Sequence, residues 1–127
     1  MTGASSLRPK MRRLLGGMPG AVEEEPFGPG VWVWKVGGRI FALLTQDDEP
    51  PRLSLKCDPV RAQELRAAFA AVTPGYHLNK EHWNTIVLDG SLPPALVDEL
   101  VDHSHELVAA RLPAKTRQAL ALKGATR

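Results

Sequence analysis

The segment Val31-Trp32-Val33-Trp34-Lys35-Val36, followed by Gly37-Gly38 and then Arg39-Ile40-Phe41-Ala42-Leu43-Leu44-Thr45, constrains this chain more than any other. Both runs are rich in β-branched and aromatic residues, which suit a pleated, partly buried surface. The two glycines between them tolerate the positive φ that a two-residue type I′ or II′ turn demands. The spacing predicts an antiparallel hairpin. After the loop Gln46 to Pro51, Arg52-Leu53-Ser54-Leu55-Lys56-Cys57 alternates strictly. That alternation predicts a third strand with Leu53, Leu55 and Cys57 on one face and Arg52, Ser54 and Lys56 on the other.

The remaining elements follow from helix periodicity and its stop signals. Ser5 to Leu15 reads as a first helix, stopped by Gly16-Gly17. Pro19 to Gly30, with three prolines, three glycines and the run Glu23-Glu24-Glu25, reads as a loop. Asp58-Pro59 is a helix-start pair, an N-cap carboxylate followed by a proline at the first helical position. Ala62, Leu65, Phe69 and Val72 then recur on one helical face, up to Thr73-Pro74-Gly75. Tyr76 to Lys80 and Trp83 to Leu88 read as two short strands. Leu92-Pro93-Pro94 opens a last helix with the stripe Leu96, Val97, Leu100, Val101, Leu107, Val108 and Leu112, and Pro113 ends it. The order α-β(3)-α-β(2)-α predicts an α+β fold of two layers, with a five-stranded antiparallel sheet and helices near 5–15, 59–72 and 94–112. At 127 residues the chain is one domain, 1–127, with an ordered core over about 5–113 and a basic tail over 114–127.

Several function classes fall away. Cys57 is the single cysteine, too few for a disulfide framework or a thiolate zinc site. The histidines His77, His82, His103 and His105 show no HExxH-type spacing, and His103 and His105 point apart on a helix. No metal and no cofactor is expected. Ser104 and His105 are helix neighbours and form no Ser–His dyad, and the chain lacks GxSxG, GxxxxGK[ST] and GxGxxG. The expectation is a protein that is not an enzyme. No apolar run reaches the length of a membrane span, and the N-terminus lacks an apolar signal segment, so a cytoplasmic location and no membrane partner are expected.

The net charge neither announces nor excludes a nucleic-acid partner, and the placement of the cations says more. Lys and Arg outnumber Asp and Glu by 16 to 14. The basic excess lies at the ends: Arg8, Lys10, Arg12 and Arg13 near the start, and Arg111, Lys115, Arg117, Lys123 and Arg127 from Leu107 onward. With Thr45 opposite Arg52, the face bearing Arg52 and Lys56 also carries Leu43 and Phe41. Through the Gly37-Gly38 hairpin it then carries Trp32 and Trp34 as well. Cations between aromatic rings on an open sheet suit nucleic acid. The loop leaves the register open, and a one-residue slip puts the tryptophans in the core. The densest polar and aromatic stretch is Pro74 to Thr85, whose Lys80, His82, Trp83 and Asn84 read either as a binding surface or as hairpin and core residues. The candidate nucleic-acid-binding set is Arg52, Lys56, Lys80, His82, Trp83 and Asn84.

Five strings carry a resemblance: Pro26-Phe27-Gly28, Lys35 to Ala42, Leu55-Lys56-Cys57-Asp58-Pro59, Pro74 to Thr85 with its Asn-Lys-Glu-His-Trp-Asn core, and Ser104-His105-Glu106-Leu107-Val108. Together they resemble the MmcQ/YjbR family of small bacterial proteins. The resemblance covers about residues 10 to 115. It implies a YjbR-like α-β(3)-α-β(2)-α fold, similar to type III secretion chaperones, and a DNA-binding role with a double-wing arrangement and no enzymatic activity. Where the family pattern usually has Lys and Tyr, this chain has Arg39 and His105. The alternative reading is a protein-interaction module that holds a protein partner or a second copy of itself.

Overall fold

The computed structural model describes residues 4–75 and 78–121, with side chains from Leu7 onward. Its elements are α1 (Ala4–Gly16), β1 (Ala21–Glu24), β2 (Val31–Val36), β3 (Arg39–Thr45), β4 (Arg52–Lys56), α2 (Pro59–Ala68), β5 (Val72–Pro74), β6 (Trp83–Val87), α3 (Pro94–Ala110) and α4 (Ala114–Ala119). The strands form one sheet in the order β1-β2-β3-β4-β6-β5, with every pairing antiparallel. The fold is α+β.

The sheet has six strands rather than the five expected. The extra strand, β1, lies inside the Pro/Gly-rich segment read as a loop. Its sequence Ala-Val-Glu-Glu has little strand character of its own, and it pairs on one side only, with β2. Charged residues on such an edge discourage further pairing. The segment after α2 also differs. Its last turn ends at Ala68, because Phe69 turns extended at φ −132°, and Val72 leaves the helical stripe to pair with Ile86. Thr73 precedes a proline, which disfavours helix there. Of the strand expected over 76–80, residues 76 and 77 lie outside the described residues and 78–80 belong to the bend and turn before β6. Of the tail, 114–119 form α4, and 122–127 lie outside the described residues.

The hairpin forms around Gly37 and Gly38, both at positive φ, with Val36 opposite Arg39 and Lys35 opposite Ile40. Trp34 then pairs with Ala42, so Phe41 is the extra residue of a β-bulge. This one residue decides the facing of the strand. Without it, Trp34 and Trp32 would lie opposite Phe41 and Leu43. With it, they lie opposite Ala42 and Leu44, in rows that continue through Leu53, Leu55 and Ile86. The tryptophans therefore point into the core, away from Arg52 and Lys56.

That face is covered by the helices. One apolar cluster joins Trp34, Ala42, Leu44, Leu53, Leu55, Val72 and Ile86 of the sheet to Met11 and Leu15 of α1, Ala62 and Leu65 of α2, and Leu100, Val101 and Val108 of α3. The cluster leaves the opposite face of the sheet free of these helices, although Val33 and Thr85 on that face are buried as well.

Cys57 ends β4 on the covered side, 3% exposed, as its alternation predicted, and burial is the main cause pushing its thiol above the ordinary range. Native protein will react with a thiol reagent far more slowly than urea-unfolded protein, because the thiolate is the reactive form. The sign for stability follows. A raised folded value leaves the contribution intact below the unfolded thiol value of about 8.5 and removes it as pH climbs toward the folded one. Urea midpoints measured at increasing alkaline pH should fall in wild type more than in Cys57→Ala.

Candidate nucleic-acid interface

The open face is ordered in rows. One row crosses all six strands: Glu24, Val33, Leu43, Ser54, Thr85 and Thr73. The next carries Val22, Lys35 and Ile40, and on β4 and β6 Lys56 stands opposite Trp83. On the other side lie Val31, Thr45, Arg52 and Val87. The Arg52 N–H donates to Thr45 Oγ1 at 2.9 Å, which places Thr45 opposite Arg52. The face divides by chemistry. The β1–β3 half is largely apolar, with Lys35 neutralised by Glu24 at 2.9 Å. β4, β5 and β6 contain no acidic residue.

Arg52 and Lys56 share the open face of β4, four residues and so about 13 Å apart. Neither side chain has an ion pair or hydrogen bond among the described residues. Burial, followed by the nearby charges of Arg111 and Arg39, pushes the Lys56 ammonium below its usual range. Trp83 is partly exposed beside Lys56, and its backbone is fixed by the Gly75 N–H donating to its carbonyl at 2.9 Å.

Lys80 and His82 sit in the turn leading to Trp83. Lys80 is exposed, and its carbonyl accepts from the Arg66 guanidinium. The His82 carbonyl accepts from the Cys57 N–H at 2.8 Å, which holds this turn against the end of β4. Its Nε2 lies 3.5 Å from the Glu81 carboxylate. The cationic head of Lys80 is unpaired among the described residues.

Asn84 requires a correction. It occupies the covered face opposite Leu55, is 3% exposed, and spends its amide internally. Its Oδ1 accepts from Arg66 Nε at 2.7 Å and its Nδ2 donates to the Ala62 carbonyl at 3.3 Å. Strand alternation puts Trp83 outward and Asn84 inward, so Asn84 anchors α2 to β6 and belongs to no surface.

Three residues outside the candidate set matter to this site. Arg66 braces the turn through Asn84, Lys80 and Trp83. Arg39 and Arg111 bring charge to Lys56. Their local sequences give no sign of it, since each is remote from Lys56 along the chain. Among the described residues no group of three or more His, Cys, Asp or Glu is placed to hold a metal ion, and no helix is long and apolar enough to cross a membrane.

The YjbR family model matches residues 16–107. The chain is 41% identical over 86 residues to the protein YjbR of Escherichia coli K12, covering 68% of this chain and 73% of that one. It is 36% identical over 83 residues to YbdF of Escherichia coli O157:H7, covering 65% and 68%. Among solved structures, the Deinococcus radiodurans protein DR2400, of domain DUF419, aligns with a TM-score of 0.87 at 39% identity, covering 91% of this chain and 88% of that one. A Pseudomonas syringae protein shares the fold at a TM-score of 0.69 and 23% identity, covering 80% and 97%. The resemblance of the sequence strings, the family-model match over residues 16–107 and the identity to YjbR agree: the chain belongs to the YjbR family.

Proposed function

We propose that this protein binds DNA, without catalysis, on the open face of its sheet. The observation that carries the reading is the β4–β6–β5 half of that face. It presents Arg52 and Lys56 beside the partly exposed Trp83, with the half-buried Ser54 and the exposed Thr73 in the row between, Thr85 of that row being buried, and no carboxylate on those strands. Cations meet phosphates, hydroxyls accept or donate to the backbone, and an exposed ring stacks on a base. A second reading has its own observation. Val22, 53% exposed, with Val31 and Leu43, gives the other half of the face an apolar character that suits a protein partner.

Fluorescence anisotropy with a labelled oligonucleotide between 50 and 200 mM salt separates the two. For DNA bound through phosphates, log affinity falls linearly with log salt, with a slope of about −0.7 per contact for a single strand and −0.9 for a duplex. Arg52→Ala, Lys56→Ala and Lys80→Ala should each reduce the slope by about one contact's share. No binding at the lowest salt, together with concentration-dependent self-association, would move the function to the protein-partner reading.

A further inference from the structure

We propose that Arg39, Lys56 and Arg111 form a subsite for consecutive phosphates of a single-stranded nucleic acid at one end of the sheet, Arg39 and Arg111 reaching it from the hairpin turn and the end of α3 and Trp83 standing opposite Lys56 on the open face as a stacking platform; this rests on the DNA-binding reading and specifies its ligand.

Three elements meet there, and a single side chain joins them. Ser104 Oγ, on α3, donates to the Phe41 carbonyl of β3 at 2.6 Å and accepts from the Lys56 N–H of β4 at 2.9 Å. Arg39 lies two residues before Phe41, just past the hairpin turn. Arg111 caps the C-terminal end of α3, and its neighbour Leu112 packs against that turn so closely that a Cβ at Gly37 would lie 2.7 Å from Leu112 Cδ1. The bulge, the serine bridge and the Gly37–Leu112 contact thus bring three cations from distant sequence to one end of the sheet.

These cations differ from most of the guanidinium groups around them. Arg8, Arg12 and Arg61 are matched by Glu49, Glu23 and Glu99, and Arg66 and Arg117 are engaged by Asn84 and by backbone carbonyls. Arg39, Lys56 and Arg111 have no carboxylate or hydrogen-bond partner among the described residues. Arg39 and Arg111 are exposed, and both act on Lys56 as like charges. Uncompensated cations at close quarters favour a polyanion whose charges are themselves closely spaced.

The neighbouring ring chooses among polyanions. Trp83 faces Lys56 directly across the strands. A sheet surface with a partly exposed indole beside cations stacks an unpaired base and reaches its flanking phosphates, whereas a duplex hides its base faces. The subsite therefore fits a single strand better than a duplex and better than an acidic peptide.

The test uses the full chain, labelled dT12, a labelled 12-base-pair duplex, polyglutamate and inorganic tripolyphosphate. Wild type should bind dT12 more tightly than the duplex. The Arg39→Ala/Arg111→Ala double variant, whose two side chains are exposed, should lower the dT12 salt slope by about 1.4, two contacts at 0.7 each. Tripolyphosphate should bind wild type by calorimetry and lose that binding in the double variant. An unchanged dT12 slope in a folded double variant overturns the subsite while leaving the open-face reading standing. Loss of dT12 and duplex binding in wild type, with tripolyphosphate binding retained and dependent on the two arginines, overturns the open-face reading and the nucleic-acid occupant alike. Displacement of dT12 by polyglutamate at equal charge concentration assigns the subsite to an acidic partner and overturns the single-strand assignment.

Discussion

Replacing Trp34 by alanine will destabilise the protein by about 3–5 kcal/mol, the range for removing a large aromatic side chain from a packed core. Trp34 is fully buried, sits in the row that continues through Ala42 and Leu55, and belongs to the cluster shared with Met11, Leu15 and Val101. Deleting it opens a cavity where α1 meets the sheet, and a domain of this size has only about 5–15 kcal/mol to lose. Urea unfolding followed by far-ultraviolet dichroism should show a much lower midpoint. Trp34→Phe should cost far less than the alanine change. It keeps most of the apolar volume, and it removes an indole N–H that is buried with no hydrogen-bond partner among the described residues. Trp32→Ala is the control. That ring is only partly buried, lies 6.4 Å from Trp34 centroid to centroid, and is roofed by the Arg12 guanidinium at 4.1 Å. Its loss should fall well below that of Trp34. Equal losses at the two positions would contradict the facing assigned to β2.

The same strand shows what a sequence discloses and what it withholds. The hairpin was legible because its signals are local: period-two patterning on both sides of two glycines. The facing of its tryptophans was not. It turns on whether β3 holds one residue more than β2, and Phe41 supplies that residue only because its ring finds a place against α3, edge-on to His105 at 5.1 Å. β1 was invisible for a related reason, since its strand state comes from pairing with β2 rather than from its own composition. Cys57 and the α2 start were legible, the one from alternation, the other from Asp58, whose carboxylate accepts the Arg61 N–H at 3.2 Å. For the candidate site, the outward set of β4 was legible from alternation alone. The place of Asn84 is not legible, because a polar residue in a rich polar stretch suits the surface as well as the core, and its partner Arg66 stands 18 residues earlier. Arg39 and Arg111 escaped notice because nothing in a sequence shows that a strand start and a helix end meet beside Lys56.

Ser104→Ala will cost about 2–4 kcal/mol although it removes a single oxygen. The hydroxyl is fully buried and serves two backbone groups of different strands, the Phe41 carbonyl and the Lys56 N–H. Phe41 lies at the bulge, where the regular ladder is interrupted, so the serine supplies hydrogen bonds the ladder does not. Each backbone group left unsatisfied costs about 1–3 kcal/mol, the second less where the chain relaxes toward water. Ser104→Thr keeps the oxygen and should retain both bonds, but its added methyl enters a closed site, at a cost of about 1–3 kcal/mol. Hydrogen exchange localises the effect: the Lys56 amide should lose protection in Ser104→Ala and keep it in Ser104→Thr. A further consequence reaches the binding surface. Ser104 carries no charge, so its loss loosens the junction of Arg39, Lys56 and Arg111 without removing a cation. Oligonucleotide affinity should therefore drop while the salt slope stays at the wild-type value, the reverse of the pattern expected for the arginine variants. A Ser104→Ala protein with wild-type stability and a fully protected Lys56 amide would show that the serine bridge does not hold the two strands together.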